Sequence, residues 1–269
     1  MLCSAVSRGS AYKCVRPYLD PGTRRPVQVG ATVYGDLPHL VAAGFLSLLP
    51  SPALPAAPSI VWPVWPVVVC IATGPSLTRA DALALRHLPT IAVNDAYRVA
   101  PHAQILYAAD KSWWDMYNCC PDFTGRKVSQ NVQPGRGWPT DATVEVLRSI
   151  KAPGMSRDPG VLHRGYNSGY QALNLALLCE AKIVVLLGYD CGQPLGSPSH
   201  YFGDHPAGLQ KCSPYDMFRR SFTEAAPTIS ARVINVSRQT TLDCFERMSI
   251  GKCLTTIRKS GALSYSAQS

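Results

Sequence analysis

No Cys-x-x-Cys pair occurs in this 269-residue chain, although it holds ten cysteines. Zinc sites built on closely spaced cysteines are therefore not signalled. Cys70 and Cys179 lie inside apolar runs, where a thiol serves as a small hydrophobe. Free thiols and a reducing compartment are expected. Also missing is an unbroken apolar run of membrane length. The stretch from Leu37 to Ala72 is long, but prolines at 38, 50, 52, 55, 58, 63 and 66 interrupt it. They break every window of about 20 residues that a spanning helix needs. Residues 1–30 are polar and basic and lack the apolar core of a secretory signal. A cytoplasmic protein without a membrane span is expected. The chain also has neither Gly-x-Gly-x-x-Gly nor a Walker loop, which argues against dinucleotide cofactors and P-loop binding of ATP.

Acidic side chains are in deficit: 17 Asp and Glu stand against 26 Lys and Arg, a formal charge of +9. Per residue the excess is densest at the two ends, as in solvated termini, and a nucleic-acid partner is not expected. The central region suits a small anionic ligand such as a nucleotide. Hydrophobic residues make up 46% of the chain, enough to bury the core of one α/β domain.

Residues 1–66 differ from the rest. Prolines punctuate them, no helical or strand period is sustained, and they are read as a poorly ordered extension without catalytic role. Regular patterning spans 67–245, and 246–269 reads as a basic tail. The run Val67 to Ala72 is short, continuous and β-branched, the signature of a strand buried on both faces. A tight turn, Thr73-Gly74-Pro75-Ser76, follows, and helical spacing then runs from Leu77 to Leu88. Further strands are predicted at 90–93, 104–109, 126–130, 182–187 and 231–236. Helices are predicted from Ser112, over 170–180 and over 215–226. Residues 131–166 read as a long loop with a short helix at 140–150. Strands alternate with helices, so the predicted class is α/β, a Rossmann-like, mainly parallel sheet with helices on both faces. The Trp113-Trp114 pair with Tyr117 is assigned to core packing.

In an open parallel sheet, ligands bind beyond the carboxyl ends of the strands. Those ends supply Thr73, Gly74, Pro75 and Ser76, then Asn94, Asp110 and Asp190. The helix start Asn167-Ser168-Gly169 can join them. A glycine after a buried strand admits close backbone approach, and a helix start offers free N–H groups and a positive dipole end to phosphate. Capping alone would also explain Asn94 and the Asn167-Ser168 pair. A late loop, His200-Tyr201-Phe202-Gly203-Asp204-His205-Pro206, carries the candidate catalytic residues His200, Asp204 and His205. A histidine near neutral pKa is suited to take a proton from a hydroxyl. The same three side chains are also weighed as metal ligands, although their spacing matches no strong zinc pattern. Substrate contact or a plain surface loop are the remaining readings. No metal ligand is assigned.

The order of these segments resembles the bacterial, Campylobacter-type sialyltransferases. Gly74-Pro75-Ser76-Leu77, Val93-Asn94, Ala109-Asp110, Ser168-Gly169, Gly188-Tyr189-Asp190 and then His200 or His205 follow that family's order over roughly residues 67–205. The Gly-Pro-Ser-Leu turn is similar to that of archaeal 6-hydroxymethylpterin diphosphokinases and flagellin-modification proteins. The whole also resembles uncharacterised bacteriophage and prophage proteins with a Gly-Asp-His-Pro loop. The chain departs from the sialyltransferases at Ala72, where the family has glycine, and at Asp110, where it has an asparagine region. The first resemblance implies sugar transfer from a CMP-linked donor with no obligatory cofactor. Gly74, Ser76, Asn94 and Ser168 would hold the nucleotide, and His200 or His205 would take the acceptor's proton. The second implies an ATP- and magnesium-dependent diphosphotransferase drawing on Asp95, Asp110 and Asp190. A third reading is a non-catalytic, nucleotide-binding phage accessory protein.

Overall fold

A computed structural model of the chain describes residues 11–14, 18–19, 26–29, 32–34, 46–48, 60–131, 141–192, 200–203 and 214–262. The chain divides into two units, Met1–Ser59 and Ile60–Ser269. In the first unit, β1 (Ala11–Cys14) pairs antiparallel with β4 (Thr32–Tyr34) and β5 (Leu46–Leu48), and β2 (Tyr18–Leu19) pairs with β3 (Pro26–Val27).

Among the described residues, the second unit is built on nine parallel strands. They are β6 (Val67–Ile71), β7 (Thr90–Val93), β8 (Ile105–Tyr107), β9 (Arg126–Asn131), β10 (Val144–Ile150), β11 (Val161–His163), β12 (Ile183–Leu187), β13 (Arg232–Asn235) and β14 (Glu246–Arg247). Their order across the sheet is β11-β10-β9-β8-β7-β6-β12-β13-β14. The chain steps outward from β6 to β11 on one side, then crosses back to lay β12 against β6 on the other. Direction therefore reverses between β6 and β12, the topological switch point of the sheet. The helices are α1 (Arg79–Ala84), α2 (Lys111–Met116), α3 (Ser168–Leu178), α4 (Tyr215–Ala225) and α5 (Ile250–Lys259).

Both faces of the central strands are covered, which is why β6 and β12 are apolar at every position. Val67, Val69 and Ile71 pack with Leu85, Leu88, Trp113, Trp114 and Ile257, the side of α1, α2 and α5. Val68 and Cys70 pack with Tyr170, Leu173, Ala176 and Phe222, the side of α3 and α4. The α/β, Rossmann-like reading is thus the architecture found. Trp113 and Trp114 are core residues, with the Trp114 indole N–H donating to the Ala108 carbonyl. The cysteines at 70, 119, 120, 179, 191, 244 and 253 are free thiols. Among the described residues no helix is long and apolar enough to cross a membrane.

Four local expectations are corrected. The segment expected to carry a short helix at 140–150 is strand β10, paired in parallel register with β9, where Glu145 also bridges Arg126. Its valines favour a pleated strand once a neighbour is present. The helix expected over 77–88 is only Arg79–Ala84, because Thr78 caps it by accepting from the Asp81 N–H and it unwinds at Leu85. The basic segment from 246 is not merely a tail. It adds edge strand β14 and α5, which buries Cys253 and Ile257 against the sheet. The folded unit also begins before Val67: Trp62 is buried and the Trp65 N–H donates to the Cys179 carbonyl.

Candidate functional site

Gly74 follows β6 and Gly188 follows β12, so the two turns face each other at the switch point. The Gly74 N–H donates to the Gly188 carbonyl at 2.9 Å. A Cβ on Gly74 would lie 2.5 Å from the Gly188 oxygen and against the Asp190 carboxylate. Gly188 itself has φ 72, and a Cβ there would sit 2.5 Å from the Ala72 oxygen. Backbone closeness, with no room for side chains, is what both glycines supply.

Beyond these turns lies a crevice of about 110 Å³. Its walls include Thr73, Gly74, Pro75, Asn94, Asn167, Ser168, Gly169, Gly188, Asp190, His200, Tyr215 and Phe218. Residues expected from strand ends far apart in sequence are therefore brought together. Asn94 adopts φ 50 directly after β7, and Cys191, also on the wall, has φ 48. Left-handed backbone in residues with side chains costs free energy and tends to gather at binding sites.

Helix α3 points its start at the crevice. Asn167 caps it, its side-chain oxygen accepting from the Tyr170 N–H at 2.8 Å. The Ser168 hydroxyl accepts from the Ala109 N–H, which ties the helix start to the end of β8. The first N–H groups of a helix have no partner within it, and over 11 residues the dipole adds a positive end. This is the helix start suited to an anion.

The turn after β6 plays a different part from the one expected. The Asp190 carboxylate accepts from the Ser76 N–H at 2.7 Å and from the Ser76 hydroxyl at 2.8 Å. The anion position at this turn is occupied by the protein's own side chain. Ser76 does not line the crevice, and its hydroxyl also accepts from the Gln239 N–H. Burial pushes the Asp190 carboxyl above its ordinary pKa, and the two Ser76 bonds offset that only in part.

His200 is tethered over the crevice. Its Nδ1 lies 3.0 Å from the Thr73 hydroxyl, and the neighbouring Tyr201 N–H donates to the Thr73 carbonyl at 2.9 Å. Thr73 thus fixes both the ring and the loop that carries it. The other two candidate catalytic residues, Asp204 and His205, lie outside the described residues. Asp110 sits apart from the crevice, in an adjoining pocket. The acids weighed for magnesium are separate: the Asp95 carboxylate accepts from the Trp113 indole N–H, while Asp190 holds Ser76. Among the described residues no three His, Cys, Asp or Glu gather as a metal site.

Tyr215, Phe218 and Cys191 were not singled out from sequence. Tyr215 and Phe218 arrive on α4, and no local pattern marks them, because only the packing of α4 against α3, with Phe222 on the Tyr170 and Tyr189 rings, brings them to the crevice. Compared with known proteins, the chain matches no family model, no curated protein and no solved structure.

Proposed function

We propose that the protein is a glycosyltransferase-like enzyme that takes a nucleotide-linked sugar, with CMP as the nucleotide, at the switch-point crevice. The observation that carries this reading is the meeting in one crevice of the α3 start, Asn94 and the tethered His200. The start of α3 suits the single phosphate of a CMP-linked donor. Asn94 offers an amide to the base or ribose. His200 takes the proton of the acceptor hydroxyl as its oxygen bonds to the anomeric carbon. The bond from that carbon to the phosphate oxygen breaks, and CMP leaves with the electron pair. No step in this scheme calls for a metal ion.

A thermal-shift series on the full chain with CMP, CDP, UDP, GDP, ATP and AMP, each with and without magnesium, tests the reading. A ligand at about a hundred times its Kd adds about 2.7 kcal/mol of stability, a rise of about 5 to 10 °C for a domain of this size. The expected result is such a rise with CMP, unchanged by EDTA. A rise only with ATP and magnesium would replace the reading with a diphosphotransferase. No rise with any nucleotide would leave a non-catalytic accessory protein.

A further inference from the structure

The helix start that closes the crevice on one side opens on its other side into a second pocket of about 220 Å³. The two share Asn167 and Ser168. Parallel pairing of β10 with β11 sets Ile150 beside His163, so the next residues, Lys151 and Arg164, emerge together at the carboxyl edge. The Arg164 N–H donates to the Ile150 carbonyl at 2.9 Å, which locks that register where the strands end. Both side chains line the pocket, and among the described residues neither forms an ion pair. Among the described residues, Asp110 is the single acid on the wall.

The floor of the pocket is polar and held in place. Gln171 of α3 is only 4% exposed and donates to the Ser149 hydroxyl. Gln130 of β9 donates through its amide nitrogen to the Ala109 carbonyl. Its buried Oε1 has no hydrogen-bond partner among the described residues. A buried acceptor without a donor is costly unless a ligand hydroxyl or amine supplies one. Two cations beside a helix start, with a waiting acceptor, match a molecule that bears both an anionic group and hydroxyls.

We propose that this pocket is the acceptor subsite and that the acceptor carries an anionic group, a carboxylate or a phosphate. The proposal rests on the glycosyltransferase-like reading, because it assigns the second substrate of that same site. Glucuronate, glucose 6-phosphate and neutral glucose are the probes. Each is titrated calorimetrically into the full chain, alone and with saturating CMP.

One or both charged sugars should bind at least tenfold tighter than glucose. Which of them is preferred identifies the anion. That preference should fall about tenfold in Lys151→Gln and in Arg164→Gln, both exposed positions whose variants should fold. CMP affinity should stay unchanged in both variants, and CMP should not compete with the sugar. Equal binding of charged and neutral sugars, or none, would overturn the acceptor proposal even with CMP binding intact. Competition between CMP and the charged sugar would overturn it too, by placing both ligands in one site. Selective sugar-acid binding without any nucleotide binding would overturn the donor reading, and with it the pocket's role as an acceptor subsite.

Discussion

The carboxylate of Asp190 accepts hydrogen bonds from both the backbone N–H and the hydroxyl of Ser76, 114 residues earlier in the chain. This pair clamps the turn after β6 to the turn after β12, and so closes the switch point from within. Asp190→Ala leaves two donors without that acceptor, at a cost of about 1–3 kcal/mol. A Tm several degrees below wild type is expected. Asp190→Asn, which keeps an acceptor oxygen, should recover part of the loss. Equal Tm values for wild type and the alanine variant would show that the clamp is not stabilising.

The same carboxylate has a pH signature. Burial raises its pKa in the folded chain, so the fold holds that proton more tightly than the unfolded chain does. Its contribution is therefore fully present below the ordinary carboxylate range and is lost as pH rises through the folded value. The difference in Tm between wild type and Asp190→Asn should shift in favour of wild type as pH falls from 7 toward 4. A difference that is flat across that window contradicts the assignment.

Backbone contact at the clamp leaves no space. In Gly74→Ala the new methyl meets the Gly188 carbonyl and the Asp190 side chain, which the two Ser76 hydrogen bonds hold in place. Overpacking of this kind costs about 1–3 kcal/mol, and more where backbone must move. Expression as a soluble, cooperatively unfolding protein should be impaired relative to Ser76→Ala, which only removes a hydroxyl. The order is checked by chemical denaturation of the two variants side by side.

Asn94 separates conformation from recognition. Its left-handed backbone suits glycine, whereas alanine there costs about 1–2 kcal/mol. Stability should fall in Asn94→Ala and hold in Asn94→Gly. CMP affinity should fall about tenfold in both, because both lose the amide. Full affinity in the glycine variant would mean that Asn94 serves the crevice through its backbone alone.

The sheet was legible in sequence wherever burial on both faces wrote a continuous apolar run, as at Val67–Ile71 and Ile183–Leu187. It was illegible at β10, whose alternating valines and charges, followed by glycines and prolines, do not distinguish a strand from a short helix without its neighbour β9. Thr73, Gly74, Asn94, Asn167 and Asp190 were expected to meet because the carboxyl ends of parallel strands gather at one edge of the sheet, and they line one crevice. The clamp was not found. Nothing near Ser76 in sequence says that its N–H is taken by Asp190, and the turn reads as an open anion cradle until the tertiary contact is seen. The pocket at Lys151 and Arg164 was missed for a related reason: the register that joins them depends on two strands the sequence hid in a loop.

His200 and Thr73 divide the work of proton transfer in the proposed reaction. His200→Ala should lower turnover by about 10²- to 10⁴-fold, read as CMP release from a CMP-linked sugar. Thr73→Val removes the hydroxyl 3.0 Å from the ring and should lower kcat less, with CMP affinity within about twofold. Unchanged turnover in His200→Ala would remove this residue as the base.

The most direct test of the central claim is a calorimetric titration of the full chain with CMP in the presence of EDTA. One CMP should bind per chain, with the same affinity when magnesium replaces EDTA and with weaker affinity in Asn94→Ala. Absence of binding in EDTA, or identical binding by the Asn94→Ala variant, would contradict a metal-independent nucleotide site at the switch point.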